Sequence, residues 1–368
     1  MAINPCILAI NVGSSNLKAS LFAKDGLRND LHYPFAGKSI EFELESAFKQ
    51  LFAAVDSTKP DLIVHRFVHS GDITDVIRWL DATEIKRLTT NTTLAPLHQP
   101  ASLLGVSLSG KYFNVPQAAC FDTAFHQTMP PLAKVLPIPA SENIHRYGFH
   151  GLSYTYLATQ LPALIGKVAL KNVVFAHLGA GASLCLMKNL QSVDTTMGYT
   201  PAGGVCMATR SGDLDPGVML VLARRYDANT LSNIINHQMG LIALSNGESA
   251  DMQTLINSNS HEAKFAVDYF CRQVTAAIGS FAAKAGGIDA LVFSGGIGEH
   301  AAIVREQIVA PLAFMHTKLD LASNIKHKQQ INAVDSIPIF IIPTDEEIVM
   351  QRLACNLLKE SDNKYFVY

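Results

Sequence analysis

One pattern, a strand followed by a glycine-bearing hairpin and a second strand, occurs once in each half of the chain. The apolar run Cys6 to Ile10 leads into Asn11-Val12-Gly13-Ser14-Ser15-Asn16. A second strand, Leu17 to Phe22, follows, and Lys24-Asp25-Gly26 turns the chain. Val173 to Ala176 leads in the same way into His177-Leu178-Gly179-Ala180-Gly181-Ala182-Ser183, then the strand Leu184 to Met187 and the turn Lys188-Asn189. Asn11 aligns with His177, and Gly13 with Gly179. A chain of 368 residues is roughly twice the usual length of one domain. Length and recurrence together predict a duplicated domain with a phosphate loop in each copy. Glycine lets backbone N–H groups approach a phosphate without a Cβ in the way. A single glycine turn is more often a plain turn, so the phosphate reading rests on the recurrence. A third junction, where Ala290 to Phe293 runs into Ser294-Gly295-Gly296-Ile297-Gly298-Glu299, strengthens it.

Helical periodicity separates these strands and predicts an α/β architecture. Glu43 to Val55 places Leu44, Phe48, Leu51, Phe52 and Val55 at helical spacing, and Asp81 to Leu88 reads as a short helix. The strand Leu62-Ile63-Val64 follows Pro60. Ala263 to Ala285 reads as one long helix with Phe265, Tyr269, Val274, Ile278 and Phe281 on its apolar face, ended by Gly286-Gly287. Glu346 to Leu358 carries Val349, Leu353 and Leu357 on one face and is expected to dock on the first domain.

Composition excludes several classes of function. Lys and Arg number 29 against 31 acidic residues, so no bulk field draws the chain to nucleic acid or an anionic membrane, and any anion must be held locally. No apolar run approaches the roughly 20 residues of a membrane helix. The N-terminal residues show no basic region and no cleavage site of a secretory signal, so a cytoplasmic protein is expected. The six cysteines form no Cys-x-x-Cys pair and read as reduced core residues. No Walker spacing is present, and no Gly-x-Gly-x-x-Gly opens a helix after the first strand, which disfavours a dehydrogenase.

Several segments are denser in polar residues than turns require: His65-Arg66-Phe67-Val68-His69-Ser70-Gly71, Ala95-Pro96-Leu97-His98-Gln99-Pro100, Phe121-Asp122-Thr123-Ala124-Phe125-His126, Arg146-Tyr147-Gly148-Phe149-His150-Gly151, and Thr209-Arg210-Ser211-Gly212-Asp213-Leu214-Asp215-Pro216. With the first hairpin, they stand in the order of the motifs of the acetate kinase family, which the chain resembles collinearly from Ile7 to about Leu358. The resemblance implies a duplicated ribonuclease H-like (actin-like ATPase) fold with two domains flanking a central cleft. Residues 1–125 plus 348–368 would form the acyl-substrate domain, and 126–347 the nucleotide-binding domain.

The implied reaction moves the γ-phosphoryl group of ATP onto acetate, with propionate as a further acceptor. A small carboxylic acid has a pKa near that of Glu, about 4.3, so the nucleophile is ionised at neutral pH. The chemical difficulty is bringing an anion to a polyanion through a loose transition state. By resemblance Arg66, Arg210 and His150 supply donors to the transferred group, with Asp122 and His98 completing the catalytic set. Val68, Leu97, Phe149 and Pro201 wall the substrate methyl beside Arg66. Lys18, His177, Gly179, Ala180, Gly181, Asp251, Gln253, Gly296, Ile297, Gly298, Glu299 and His300 are the nucleotide residues. Asn11 and Glu346, the latter preferred over Glu347, support Mg2+, with Mn2+ an alternative. A homodimer is also implied.

The departures from the family pattern cluster on the nucleotide side. Ala180 and His300 stand where asparagine is usual, Asn16 where serine is, and Gln253 where arginine is. Arg66, His98, Asp122, Phe149, His150 and Arg210 all match. ATP is the expected donor, with another nucleotide or inorganic diphosphate as alternatives. The rival from a different class is a non-catalytic, chaperone-like ATPase, which would have no use for the acid-side set.

Overall fold

The computed structural model describes residues 4–13, 16–35, 39–55, 58–96 and 98–365. The chain divides into two compact units, Met1–Phe125 with Asp345–Tyr368, and His126–Thr344.

The first unit is built on strands β1 (Ile7–Val12), β2 (Asn16–Phe22), β3 (Arg28–Pro34), β4 (Leu62–Phe67), β5 (Ile77–Trp79) and β6 (Gln117–Phe121). Their order in the sheet is β3-β2-β1-β4-β6-β5. β1 is antiparallel to β2 and parallel to β4, and β4 is parallel to β6. Every residue of β1 is buried, as expected for a central strand covered on both faces. The helix Ile40–Val55 buries Leu44, Phe48, Leu51, Phe52 and Val55, the stripe its periodicity predicts. These side chains join Leu8, Ile10 and Leu17 in one core, and each contributes about 1.5–3 kcal/mol by leaving water. Asp81 caps the helix Ala82–Thr90 by accepting from the N–H of Glu84. The helix Glu346–Tyr365 packs on β1 and β4 of this unit.

The second unit contains β7 (Val173–Leu178), β8 (Ala182–Lys188), β9 (Gln191–Thr195), β10 (Ala290–Ser294) and β11 (Ile339–Ile341), in the order β11-β10-β7-β8-β9. β7 is antiparallel to β8, and β10 lies parallel to both β7 and β11. This reproduces the β2-β1-β4-β6 arrangement of the first sheet, so the duplication read from two hairpins extends to whole sheets.

The long helix runs from His261 to Ala285, and its inward stripe differs from the expected one. Phe265 and Tyr269 are exposed, whereas Ala266, Val267, Phe270, Cys271 and Val274 join Ile278 and Phe281 in the core. Two small alanines and a cysteine let the helix sit close to its neighbours, which moves the stripe by one position from where the large aromatics suggested. All six cysteines are free thiols. No helix among the described residues is long and apolar enough to cross a membrane.

Candidate active site

In the first unit the charged residues gather at the carboxyl ends of parallel strands, where α/β sheets place their ligands. Asn11 lies near the end of β1, Arg66 near the end of β4, and Asp122 directly follows β6. Arg66 donates through Nε and Nη2 to Asp122 Oδ2 at 3.0 and 2.6 Å, and through Nη1 to Asn11 Oδ1 at 3.2 Å. The Asn11 amide donates in turn to Glu346 Oε2 at 2.9 Å and to Glu347 Oε1 at 3.2 Å. Glu346 Oε2 also lies 3.5 Å from Arg66 Nε. Burial opposes the Arg66 charge, but Asp122 and Glu346 outweigh it and hold the guanidinium firmly protonated.

Three carboxylates therefore surround one arginine. Burial, followed by repulsion from Glu346, raises the pKa of Glu347, with Asn11 and Lys18 acting in the opposite direction. The Asn11 oxygen accepts from Arg66 and its amide faces the two adjacent carboxylates, so Glu346 and Glu347 supply the hard oxygens and the surplus negative charge. That suits Mg2+, which takes one or two protein carboxylates and completes its shell with water and substrate phosphate. Lys18 is exposed and pairs across β1 and β2 with Asn11.

In the second unit the Gly179–Gly181 loop joins β7 to β8, and the Gly179 N–H donates to Gly181 O at 3.1 Å. A Cβ on Gly181 would lie 3.0 Å from Arg210 Nη2 and 3.3 Å from His150 Nε2, so glycine is what lets both groups reach the loop. His150 has φ +59° and caps the helix Gly151–Ile165. The segment before it is pinned by His126, whose Nε2 donates to Phe149 O at 2.9 Å and whose Nδ1 meets Ser192 Oγ at 2.8 Å. His150 Nδ1 lies 2.8 Å from Ser183 Oγ, and its ring centroid is 4.6 Å from that of His177.

Arg210 donates to Pro201 O at 2.7 Å and forms no ion pair among the described residues. Burial alone pulls its pKa down to about 10. A half-buried guanidinium facing a glycine loop without a counter-charge is a site that gains from taking up an anion.

The sequence profile of the Acetokinase family matches residues 34–352. The chain belongs to the acetokinase family. Among its relatives, the acetate kinase of Rickettsia typhi is 36% identical, over 94% of this chain and 97% of that protein. The acetate kinase of Rhodopseudomonas palustris is 39% identical, over 84% of this chain and 81% of that protein. Among solved structures, a propionate kinase from Francisella tularensis has a TM-score of 0.85 at 30% identity, covering 95% of this chain and 98% of that one. The Porphyromonas gingivalis acetate kinase has a TM-score of 0.79 at 28% identity, covering 96% and 100%. The duplicated sheets are those of the actin-like ATPase fold.

The remaining expected residues of this acetokinase chain fall in several places. Val68 and Phe149 are buried and Pro201 is half-buried, while Leu97 lies outside the described residues. His98 is half-buried at the start of the helix Gln99–Tyr112. His177 Nδ1 meets Ser294 Oγ at 3.2 Å, which ties the second glycine junction to the third.

The third junction itself is a helix, Gly295–His300, where a loop was expected. Gly295 takes φ +74°, and Glu299 folds back to accept from the Gly295 N–H at 2.9 Å, so the glycines that suggested a loop open a helical turn. Gly296, Ile297, Gly298 and His300 all lie in that turn. The fully buried Arg305 fixes its far end by donating to the carbonyls of Gly298 and Glu299. Asp251 and Gln253 have local partners. Asp251 caps the helix Met252–Asn257 through the Thr254 N–H, and Gln253 donates to Asn257. Tyr154 and Arg305 were not singled out from sequence. His126 and Ser183 lay inside quoted segments without a role of their own, and Glu347 was ranked behind Glu346.

Proposed function

We propose that this chain is an acetate kinase. It transfers the γ-phosphoryl group of ATP to acetate, and to propionate as a second acceptor, giving acyl phosphate and ADP reversibly. The observation that carries the reading is Arg210, half-buried without a carboxylate partner among the described residues, beside His150 Nε2 and Gly181. A non-catalytic ATPase would gain nothing from such an isolated cation. Phosphoryl transfer does, because the loose transition state spreads negative charge over three equatorial oxygens.

In this reading the first unit handles the acceptor and the second handles the donor. Arg66 is held by Asp122 and presents a fixed positive charge to the carboxylate. Asp122 orients that arginine, since an acid already ionised at neutral pH needs no strong base. His98 completes the acceptor side. Val68, buried in the first unit, is the described residue assigned to the wall against the methyl group; such a wall discriminates by only about 1–3 kcal/mol per methylene, hence the second acceptor. Arg210 and the His150 Nε2–H stabilise the transferred oxygens, while Gly179, Ala180 and Gly181 offer backbone donors to phosphate. Asn11 and Glu346 would hold Mg2+, which would supply positive charge against the nucleotide phosphates. Lys18 adds a further positive charge.

The enzyme is taken to work in the cytoplasm as a homodimer. The consecutive helices Pro216–Arg225 and Ala228–His237 bury none of their residues and expose Val218, Leu220, Val221 and Tyr226, a face we assign to a second copy. Sedimentation velocity tests this, and a monomer across the working concentration range would rule it out.

The chemistry is tested by trapping acyl phosphate with hydroxylamine. Acetate, propionate and butyrate are each offered with ATP, GTP or inorganic diphosphate. Hydroxamate from acetate with ATP and Mg2+ is expected, and its absence in every pairing would overturn the reading.

A further inference from the structure

His150 is the only imidazole aimed, through Nε2, at the same glycine as Arg210 among the described residues, and its usefulness depends on which nitrogen carries the proton. A neutral imidazole protonated at Nδ1 would present a lone pair to an already anionic group. Behind the ring lies a chain of hydroxyls that the phosphoryl-transfer roles do not use. His150 Nδ1 is 2.8 Å from Ser183 Oγ, and Ser183 Oγ is 2.5 Å from the Tyr154 hydroxyl. Ser183 and Tyr154 are both fully buried.

We propose that Tyr154 and Ser183 are positioning residues that lock neutral His150 in the tautomer with its proton on Nε2. The phenol O–H donates to Ser183 Oγ, the serine O–H donates to Nδ1, and Nε2–H is left as the donor toward the transferred phosphoryl oxygens. The inference rests on the phosphoryl-transfer reading above.

Three observations converge on it. Tyr154 is fully buried, which raises its pKa well beyond the ordinary phenol value, so it keeps a proton that it can donate to Ser183 Oγ at 2.5 Å. Ser183 lies on β8 directly opposite His177, a rigid platform rather than a loop. His126 holds the Phe149 carbonyl, and a Cβ on Gly148 would come within 2.6 Å of the His126 ring, so the backbone carrying His150 is clamped and the ring cannot follow a displaced partner.

The locked tautomer gives a donor without a second positive charge. The groups facing His150 are Arg210, the His177 ring and Tyr154, with His126 reaching its backbone through Phe149; protonating the imidazole beside Arg210 would cost Coulomb energy. In the first sheet the residue paired opposite Asn11 is Lys18, whereas here the residue opposite His177 is Ser183, so the hydroxyl is particular to this half.

The test uses the intact enzyme and two readouts. Ser183→Ala should lower kcat at about pH 8 by about 10²-fold or less, the range of one lost transition-state donor, with KM for acetate unchanged. Ser183→Thr should restore the wild-type kcat, and Tyr154→Phe should show a smaller loss of kcat with KM for acetate again unchanged. Wild-type kcat in Ser183→Ala would overturn the proposal. Nitrogen chemical shifts of 15N-histidine-labelled wild-type protein read the tautomer directly: a His150 protonated at Nδ1 overturns it, even if Ser183→Ala fails to fold. Absence of acyl phosphate from wild type would instead overturn the reaction while leaving the tautomer measurable.

Discussion

The two sheets share a strand order and register but carry different chemistry at matching positions. Pairing Ile7 with Leu62 in one and Val173 with Ala290 in the other makes Asn11 equivalent to His177, Arg66 to Ser294 and His65 to Phe293. In the first unit the Asn11–Arg66 contact belongs to a charged network of Asp122, Glu346 and Glu347. In the second the equivalent contact is a hydrogen bond between His177 and Ser294, and Arg210, the cation proposed to act there, forms no ion pair with a carboxylate among the described residues. Duplication kept the scaffold, and each copy solved the anion problem differently: one holds its arginine with acids, the other leaves its arginine unneutralised beside glycine.

That contrast predicts that the two arginines are alike for activity and unlike for stability. Arg66→Ala and Arg210→Ala should each lower kcat by about 10²–10³-fold or more. Arg66→Ala also takes the guanidinium away from Asp122, which is fully buried, and should destabilise its unit by about 3–5 kcal/mol in denaturant unfolding. Arg210→Ala removes a half-buried cation that has no counter-ion among the described residues and should leave stability equal or higher. Equal destabilisation of the two variants would break the comparison.

Acid should distinguish the sheets next. His65 in β4 and His126 in the second unit are both buried, which depresses each pKa to about 4. The unfolded chain binds these protons near pH 6.5 and the folded chain does not, so the unfolded state takes up more protons between pH 6.5 and 4. Stability is therefore fully present above pH 6.5 and falls as the pH drops through that window, by on the order of 3 kcal/mol per histidine. Thermal unfolding from pH 7.5 to 4.5 measures this. Replacing His65 and its partner Gln117 with Phe and Ile, the residues at the equivalent positions Phe293 and Ile339, should flatten the acid limb, and an unchanged limb would place the effect elsewhere.

What the sequence revealed follows from how locally each feature is encoded. The duplication and the helix Ile40–Val55 were legible because strands and amphipathic stripes repeat within a few residues. β3 is an edge strand whose alternation is confined to Leu31 and Tyr33 after a polar start, and β11 has three residues, so neither leaves a pattern long enough to read. The motif residues pointed to Arg66, Asp122, His150 and Arg210, but not to Ser183 and Tyr154. A serine and a tyrosine become a relay only when β8 and a distant helix bring them together. The Gly295–His300 helix was misread because glycine at a strand end signals a sharp change of direction, whether loop or helix follows.

The metal side offers a finer test within the charged unit. Asn11 donates to Glu346 and Glu347 alike, so geometry alone does not rank them, but the raised pKa of Glu347 makes it the poorer cation ligand. Glu346→Gln should raise the Mg2+ concentration for half-maximal activity by about tenfold or more, and Glu347→Gln by less. The reverse ranking would assign the ligand to Glu347.

The smallest effect is expected on the donor side, where the second unit departs from its family. Ala180 is exposed, has a negative φ and lies between the two glycines of the β7–β8 loop, so a longer side chain fits there without backbone strain. Its carbonyl is held by the Ala208 N–H, which keeps the loop in place when the side chain changes. Ala180→Asn adds an amide donor beside the loop that offers its backbone to phosphate. A hydrogen bond contributes about 1 kcal/mol net, so KM for ATP should fall by about fivefold with kcat and KM for acetate unchanged. If KM for ATP is unmoved while GTP or diphosphate supports faster turnover, the alanine marks a different donor rather than a weakened ATP site.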